Sequence, residues 1–126
     1  MTKTLNLQKL DHIISSDCVY RHLLNRAVVY TKAVRYLAMR TGGFFLVEQI
    51  GLMTRHDPAV ARERFQVWKF VVRPDGTATL TCRNSNGDTV YILEMDFTRF
   101  PLPEITFWAI QNGFGEGTFT IMLPSE

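Results

Sequence analysis

Apolar and polar positions along this chain follow two different periods, and the change falls near Phe65. Before it, Leu23, Ala27, Tyr30, Val34 and Leu37 recur at spacings of four and three, the stripe of one amphipathic helix. On a continuous helix advancing about 100° per residue, Arg21, Lys32 and Arg35 fall on the opposite side. Thr41-Gly42-Gly43 ends this helix, glycine being the usual residue past a helix terminus. A second helix is predicted from Phe44 to about Thr54, apolar around most of its circumference and therefore central. Asp57-Pro58 reads as an N-cap followed by proline at the first helical position, opening a short turn through about Arg64.

From Phe65 onward the period is two. Trp68, Phe70 and Val72 alternate with Val67, Lys69 and Val71, and Pro74-Asp75-Gly76 supplies a turn. Ala78, Leu80 and Cys82 alternate with threonines, and Asn84-Ser85-Asn86-Gly87-Asp88 is a second hairpin connection. Further strands are expected at Val90–Met95, Ile105–Ile110 and Thr118–Leu123, with Asn112–Gly117 joining the last two and Pro101 and Pro103 stiffening the preceding connection. Loops this short join antiparallel neighbours, so the pattern predicts a meander. Helices first and strands second give the α+β class. The expectation is one domain over 1–126, with N-terminal helices (about 5–64) packed on one face of a C-terminal antiparallel meander sheet of about five strands (about 65–124).

Composition narrows the function classes. The 126 residues are room for one domain, and fifteen aromatics exclude general disorder. The net charge of +2 argues against a dedicated nucleic-acid binder, yet it is a cancellation. Residues 1–64 hold ten Lys/Arg against five Asp/Glu, and residues 65–126 hold four against seven, so a +5 half faces a −3 half. Two cysteines 64 positions apart make neither a disulfide framework nor a zinc knuckle. The first residues lack an apolar signal core, and the most apolar stretch, Phe44 to Met53, contains Glu48 and Gln49 and falls short of the roughly 20 residues a membrane span requires. A cytoplasmic protein with reduced thiols and no membrane association is expected.

Chemistry-bearing residues are sparse. His12, His22 and His56 show no metal-binding spacing, so no metal and no cofactor are expected. His22, with Tyr20 and Cys18 beside it, is the catalytic candidate, as the centre of a small hydrolase or transferase; a histidine anchored by hydrogen bonds is the favoured reading. Cys82 lies on an inward strand face where a thiol is inert. Glu48 interrupts an apolar helix and, if partly buried, calls for a cation among Arg35, Arg40 or Lys69. Gly113-Phe114-Gly115-Glu116-Gly117 is flanked by strands, so it is a hairpin loop and no phosphate loop. Arg21, Arg26, Lys32, Arg35, Arg40, Arg55, Arg62 and Arg64 make a basic helical face that could meet nucleic acid, a reading not favoured beside the acidic second half. Trp108, Thr106 and Ile110 lie opposite Ile105, Phe107 and Ala109, so the fourth strand is apolar on both faces. One face belongs to the helices, and the other is expected to be covered by the chain's own tails or by another chain. Trp108, Thr106 and Ile110, with Arg21, Lys32 and Arg35, form the expected partner-binding set, for an unidentified protein or a second copy in a homodimer.

Tyr20-Arg21-His22, Tyr30-Thr31, Val34 with Tyr36-Leu37-Ala38, Phe65-Gln66-Val67-Trp68-Lys69, Leu80-Thr81-Cys82, Asn86-Gly87, Phe97-Thr98, Phe100-Pro101 and Leu123-Pro124-Ser125-Glu126 occur in this order. The pattern resembles a family of small uncharacterised bacterial proteins described as plasmid-related. The Gln-Val-Trp-Lys strand and the closing Leu-Pro-Ser-Glu are its most specific parts. The chain departs from it at Lys32-Ala33, where that family tends to have Asp-Gly, and at Phe45, where it tends to have tryptophan. The first departure removes any shared acidic group beside Tyr30. The resemblance implies a bacterial cytoplasm and an accessory gene of a plasmid or phage, and it carries over no catalytic residue. Proteins in that setting often bind and block a host factor or defence system. The expected function is therefore non-enzymatic and acts by protein–protein interaction.

Overall fold

A computed structural model describes residues 19–22, 25–113 and 118–126. Among them, strands β1 (Val19–Arg21) and β2 (Val28–Thr31) come first, followed by helices α1 (Lys32–Thr41), α2 (Phe44–His56) and α3 (Pro58–Ala61). Strands β3 (Phe65–Val72), β4 (Ala78–Arg83), β5 (Thr89–Met95), β6 (Glu104–Gln111) and β7 (Phe119–Met122) complete the order. All seven strands form one mixed sheet, β1-β2-β7-β6-β3-β4-β5, in which only β2 and β7 pair in parallel. The class is α+β, with seven strands where about five are expected from the sequence.

Two expectations are corrected. The helix drawn through Leu23, Ala27, Tyr30, Val34 and Leu37 begins only at Lys32, and the described chain before it is strand and turn. Val28, Val29 and Thr31 are β-branched and Tyr30 is aromatic, so this run favours strand despite its helical spacing. Thr31 marks the switch: its backbone is extended and its Oγ1 accepts the Val34 amide at 3.2 Å, capping α1. The sheet layer thus includes strands from residues 19–31, and the boundary at Phe65 separates periods rather than layers.

The second correction concerns the meander. Strand β6 pairs with β3, in the register Trp68↔Phe107, instead of with β5. The connection from β5 returns along the strand ends, where Gly76 O accepts from Thr98 N at 2.9 Å and Pro103 O from Val72 N at 2.8 Å. Phe100 holds it there, buried in edge-to-face contact with Phe45 and Phe70 at centroid distances of 6.3 and 5.5 Å. Strand β7 then inserts between β6 and β2, so the first and last described strands share one sheet.

The punctuation agrees with the residues read from sequence. Gly42 caps α1 in the left-handed conformation at φ 73°, and Asp57 Oδ1 accepts from Ala59 N at 2.9 Å to start α3. Thr77 closes on Asp75 through its amide and hydroxyl, and the hydroxyl bond, chiefly, holds the Asp75 carboxyl below its ordinary range. In the next hairpin Asn84, rather than Asp88, receives the closing amides.

The core lies between α1–α3 and one face of the sheet. From the sheet come Trp68, Phe70, Ala78, Leu80, Cys82, Phe107, Ala109 and Ile121; from the helices Val34, Ala38, Leu46, Val47, Ile50 and Val60, all buried. Phe45 meets Phe70 edge-to-face at 5.6 Å across this boundary. Each fully buried large apolar side chain contributes about 1.5–3 kcal/mol. Buried Gln66 is fully used: its amide donates to Val60 O (3.0 Å) and Glu63 O (3.2 Å), while its carbonyl accepts from Trp68 Nε1 (2.9 Å) and Thr54 Oγ1 (3.2 Å). One side chain thereby ties α2, α3 and β3 together.

Candidate functional site

His22 follows β1 and lies 2% exposed beneath α2. Its Nδ1 accepts the Asn25 amide at 3.0 Å, which leaves the ring proton on Nε2 to be donated to Val47 O, also at 3.0 Å. Asn25 continues the link, donating from Nδ2 to Gly51 O at 2.9 Å and accepting the Ala27 amide at 3.1 Å. Gly51 makes room for the ring, since a Cβ there would stand 2.3 Å from His22 Nε2. Both nitrogens serve backbone groups, so His22 is an anchor that joins the β1–β2 turn to α2. A general base needs a nitrogen facing a substrate, and this geometry offers none.

Of the other catalytic candidates, Tyr20 is engaged by its neighbours. Tyr20 is half-buried, stacked on Tyr30 at 5.8 Å and covered by the Arg35 guanidinium at 4.7 Å. Cys18 lies outside the described residues. Cys82 is fully buried, and burial pushes its thiol up to about 12, far from the thiolate that nucleophilic chemistry requires. Among the described residues no group of three or more His, Cys, Asp or Glu could hold a metal ion. No helix among them is long and apolar enough to cross a membrane. Glu48 is exposed on α2, which corrects its expected burial.

The partner-binding set divides between two surfaces. By strand register, Trp108, Thr106 and Ile110 share the sheet face turned away from Phe107 and Ala109, together with Phe65, Val67 and Lys69 of β3. Arg21 of β1 shares this face by its pairing with Val29, and its guanidinium donates to Arg26 O at 2.5 Å. The face is graded. At one end Phe65 and Trp108 meet edge-to-face at 5.3 Å beside Val67 and Ile110. A hollow of about 190 Å³ adjoins them, lined by Ile110, Gln111, Asn112, Thr120 and Met122. At the other end lie the exposed ion pairs Lys69–Glu104 (3.9 Å) and Arg73–Glu94 (3.3 Å). Such pairs contribute little to stability but keep that end wet.

Lys32 and Arg35 lie on α1, which packs on the other side of the sheet with Val34 and Ala38 buried. Lys32, Tyr36, Met39 and Arg40 form its exposed stripe. The remaining basic residues, Arg55, Arg62 and Arg64, follow at the end of α2 and around α3, interspersed with Asp57 and Glu63. Phe65, Tyr36 and Met39 share these surfaces without belonging to the partner-binding set expected from the sequence. Strand alternation from Trp68 places Phe65 beside Trp108, and a helix starting at Lys32 aligns 32, 36, 39 and 40.

One protein-family model matches, over residues 4–126, and the chain therefore belongs to the family of unknown function DUF6876. No curated protein matches, and no solved structure matches.

Proposed function

We propose that this member of DUF6876 is a non-enzymatic accessory protein that acts by binding another protein through the sheet face carrying Phe65 and Trp108. The observation behind this reading is that both sides of β6 are apolar. Phe107 and Ala109 are buried against the helices, while Trp108 and Ile110 on the reverse side keep part of their surface open, Trp108 in edge-to-face contact with Phe65. Aromatic anchors at the centre of a patch carry most of the energy of a protein interface. The polar rows around Lys69, Glu104, Arg73 and Glu94 suit the rim of such a patch. A bacterial cytoplasm, a plasmid- or phage-borne gene and a host factor or defence system as target belong to this proposal through the sequence resemblance alone.

The test is crosslinking mass spectrometry of a tagged copy in a bacterial host, with sedimentation of the purified chain. The expected result is a defined partner or a dimer whose crosslinks fall on β3 and β6, weakened at least about 30-fold by Trp108→Glu, the loss of one hot-spot aromatic. A strictly monomeric chain without crosslinked partners, or a complex indifferent to Trp108→Glu, overturns the reading.

A further inference from the structure

Residues 19–47 contain five cations, Arg21, Arg26, Lys32, Arg35 and Arg40, and no aspartate or glutamate. The fold gathers three of them on α1, where the exposed stripe alternates charge with large apolar side chains. Tyr36 is 49% exposed and Met39 59%, two of the four large apolar residues that stand open among the described residues. Lys32 and Arg40 bracket them, and Arg35 adjoins on the same helix.

The arginines are held in place. The Arg40 guanidinium lies 4.7 Å from the centre of the Tyr36 ring, and that of Arg35 lies 4.7 Å from the centre of the Tyr20 ring. A guanidinium stacked over a ring keeps the N–H donors of its rim directed outward, the arrangement that receives a carboxylate in two parallel bonds. Stacking also removes part of the rotamer freedom that binding would otherwise have to remove. The ion pairs between described residues lie elsewhere, at Arg62–Glu63, Lys69–Glu104 and Arg73–Glu94, so no described carboxylate neutralises the stripe.

We infer that the outer side of α1 is a docking surface for an acidic, amphipathic segment of another protein. Carboxylates of that segment meet Lys32, Arg35 and Arg40, and its apolar residues cover Tyr36 and Met39. From Lys32 to Arg40 the stripe spans about 12 Å, the rise of about two turns of a partner helix. Nucleic acid fits this surface less well, because a phosphate backbone offers Tyr36 and Met39 no apolar complement. A second copy docking α1 on α1 would set cation against cation. Arginine, tyrosine and methionine are the residue types that protein interfaces concentrate. The surface lies across the sheet from Trp108, so this inference stands whether or not the sheet face binds anything.

Selection of a random twelve-residue peptide display library against the full chain tests it. Enriched peptides should carry net negative charge together with leucine, isoleucine or phenylalanine. A synthetic copy of one should lose about tenfold or more in affinity to Lys32→Glu with Arg40→Glu, and similarly to Tyr36→Ala with Met39→Ala. Raising salt should weaken binding to the parent chain and to the Ala variant, and much less to the Glu variant. All four side chains are exposed, and circular dichroism verifies that each variant keeps its fold. Enrichment of peptides without acidic character, no enrichment, or equal binding by the Glu variant overturns the inference. So does tight binding of a 20-base-pair DNA duplex, or self-association abolished by the same substitutions, because either would assign the stripe to another occupant.

Discussion

At the scale of single residues, the candidate for catalysis became a piece of architecture. His22 spends Nδ1 on the Asn25 amide and Nε2 on Val47 O, and Asn25 reaches Gly51 O in the same turn of α2. Gly51 is therefore required for space, with φ in the ordinary range. A methyl group at 51 would stand 2.3 to 2.7 Å from three atoms of the imidazole, and the ring cannot retreat without breaking two bonds to buried backbone groups. Gly51→Ala is expected to destabilise the fold by about 3 kcal/mol, the upper part of the range for overpacking. His22→Ala costs a comparable amount by leaving buried groups unpaired, yet it also vacates the space that a methyl group at position 51 needs. The double variant should then be more stable than the sum of the singles implies, by about 1–3 kcal/mol. Urea denaturation of the four proteins measures this coupling, and strict additivity would show that the ring and Gly51 do not share the site.

At the scale of elements, the junction between β2 and α1 shows what a sequence hides. Thr31 ends a strand, caps a helix by accepting from Val34 N, and donates its hydroxyl proton to Glu126 Oε1 at 2.9 Å, a partner 95 positions away. Thr31→Ala removes both bonds and should cost about 1–2 kcal/mol, whereas Thr31→Ser keeps the hydroxyl and should cost less than half of that. Thermal melts of the two variants decide it, and equal losses would place the cost in the missing methyl group instead. The alternation that exposes β3 and β4 was legible because Trp68, Phe70, Leu80 and Cys82 repeat at period two without interruption. Gly42 and Asp57-Pro58 were legible because their signals are local. The β1–β2 pair was not, since Leu23, Ala27 and Tyr30 mimic a helical stripe and the β-branched run Val28–Thr31 takes its place as strand by pairing with β1 and with the distant β7. Strand order was equally hidden: nothing near β6 says that Phe107 pairs with Trp68, because that choice depends on Phe100 packing against Phe45 and Phe70. The open face of β6 was legible through Trp108 and Ile110, while the α1 stripe emerged only once the helix start moved to Lys32. The side chains of Gln66, Trp68 and Glu126 are taken up by structural hydrogen bonds, to α3, to one another and to Thr31 at the start of α1.

At the scale of the whole molecule, one carboxyl group joins the two ends of the described fold. Glu126 is 8% exposed; its Oε1 accepts from Thr31 Oγ1 and from Leu123 N, and its Oε2 has no hydrogen-bond partner. Burial is the main influence on it and raises its affinity for a proton, against the weaker opposite pull of those two bonds. The sign of the consequence follows from linkage. Because the folded state keeps this proton at a pH where the unfolded chain, near 4.5, has lost it, the contribution of Glu126 is fully present below 4.5 and is lost as pH rises through the folded-state value. Glu126→Gln keeps an oxygen for Thr31 and Leu123 and cannot ionise. The stability of the parent chain relative to this variant should therefore fall steadily as pH is raised from about 4 toward neutrality, then level off. Urea midpoints of both proteins across that range give the curve. A difference that grows with pH would mean that the two hydrogen bonds outweigh burial and hold the carboxylate charged in the fold, and a flat one that folding leaves its proton affinity unchanged; either overturns the expectation.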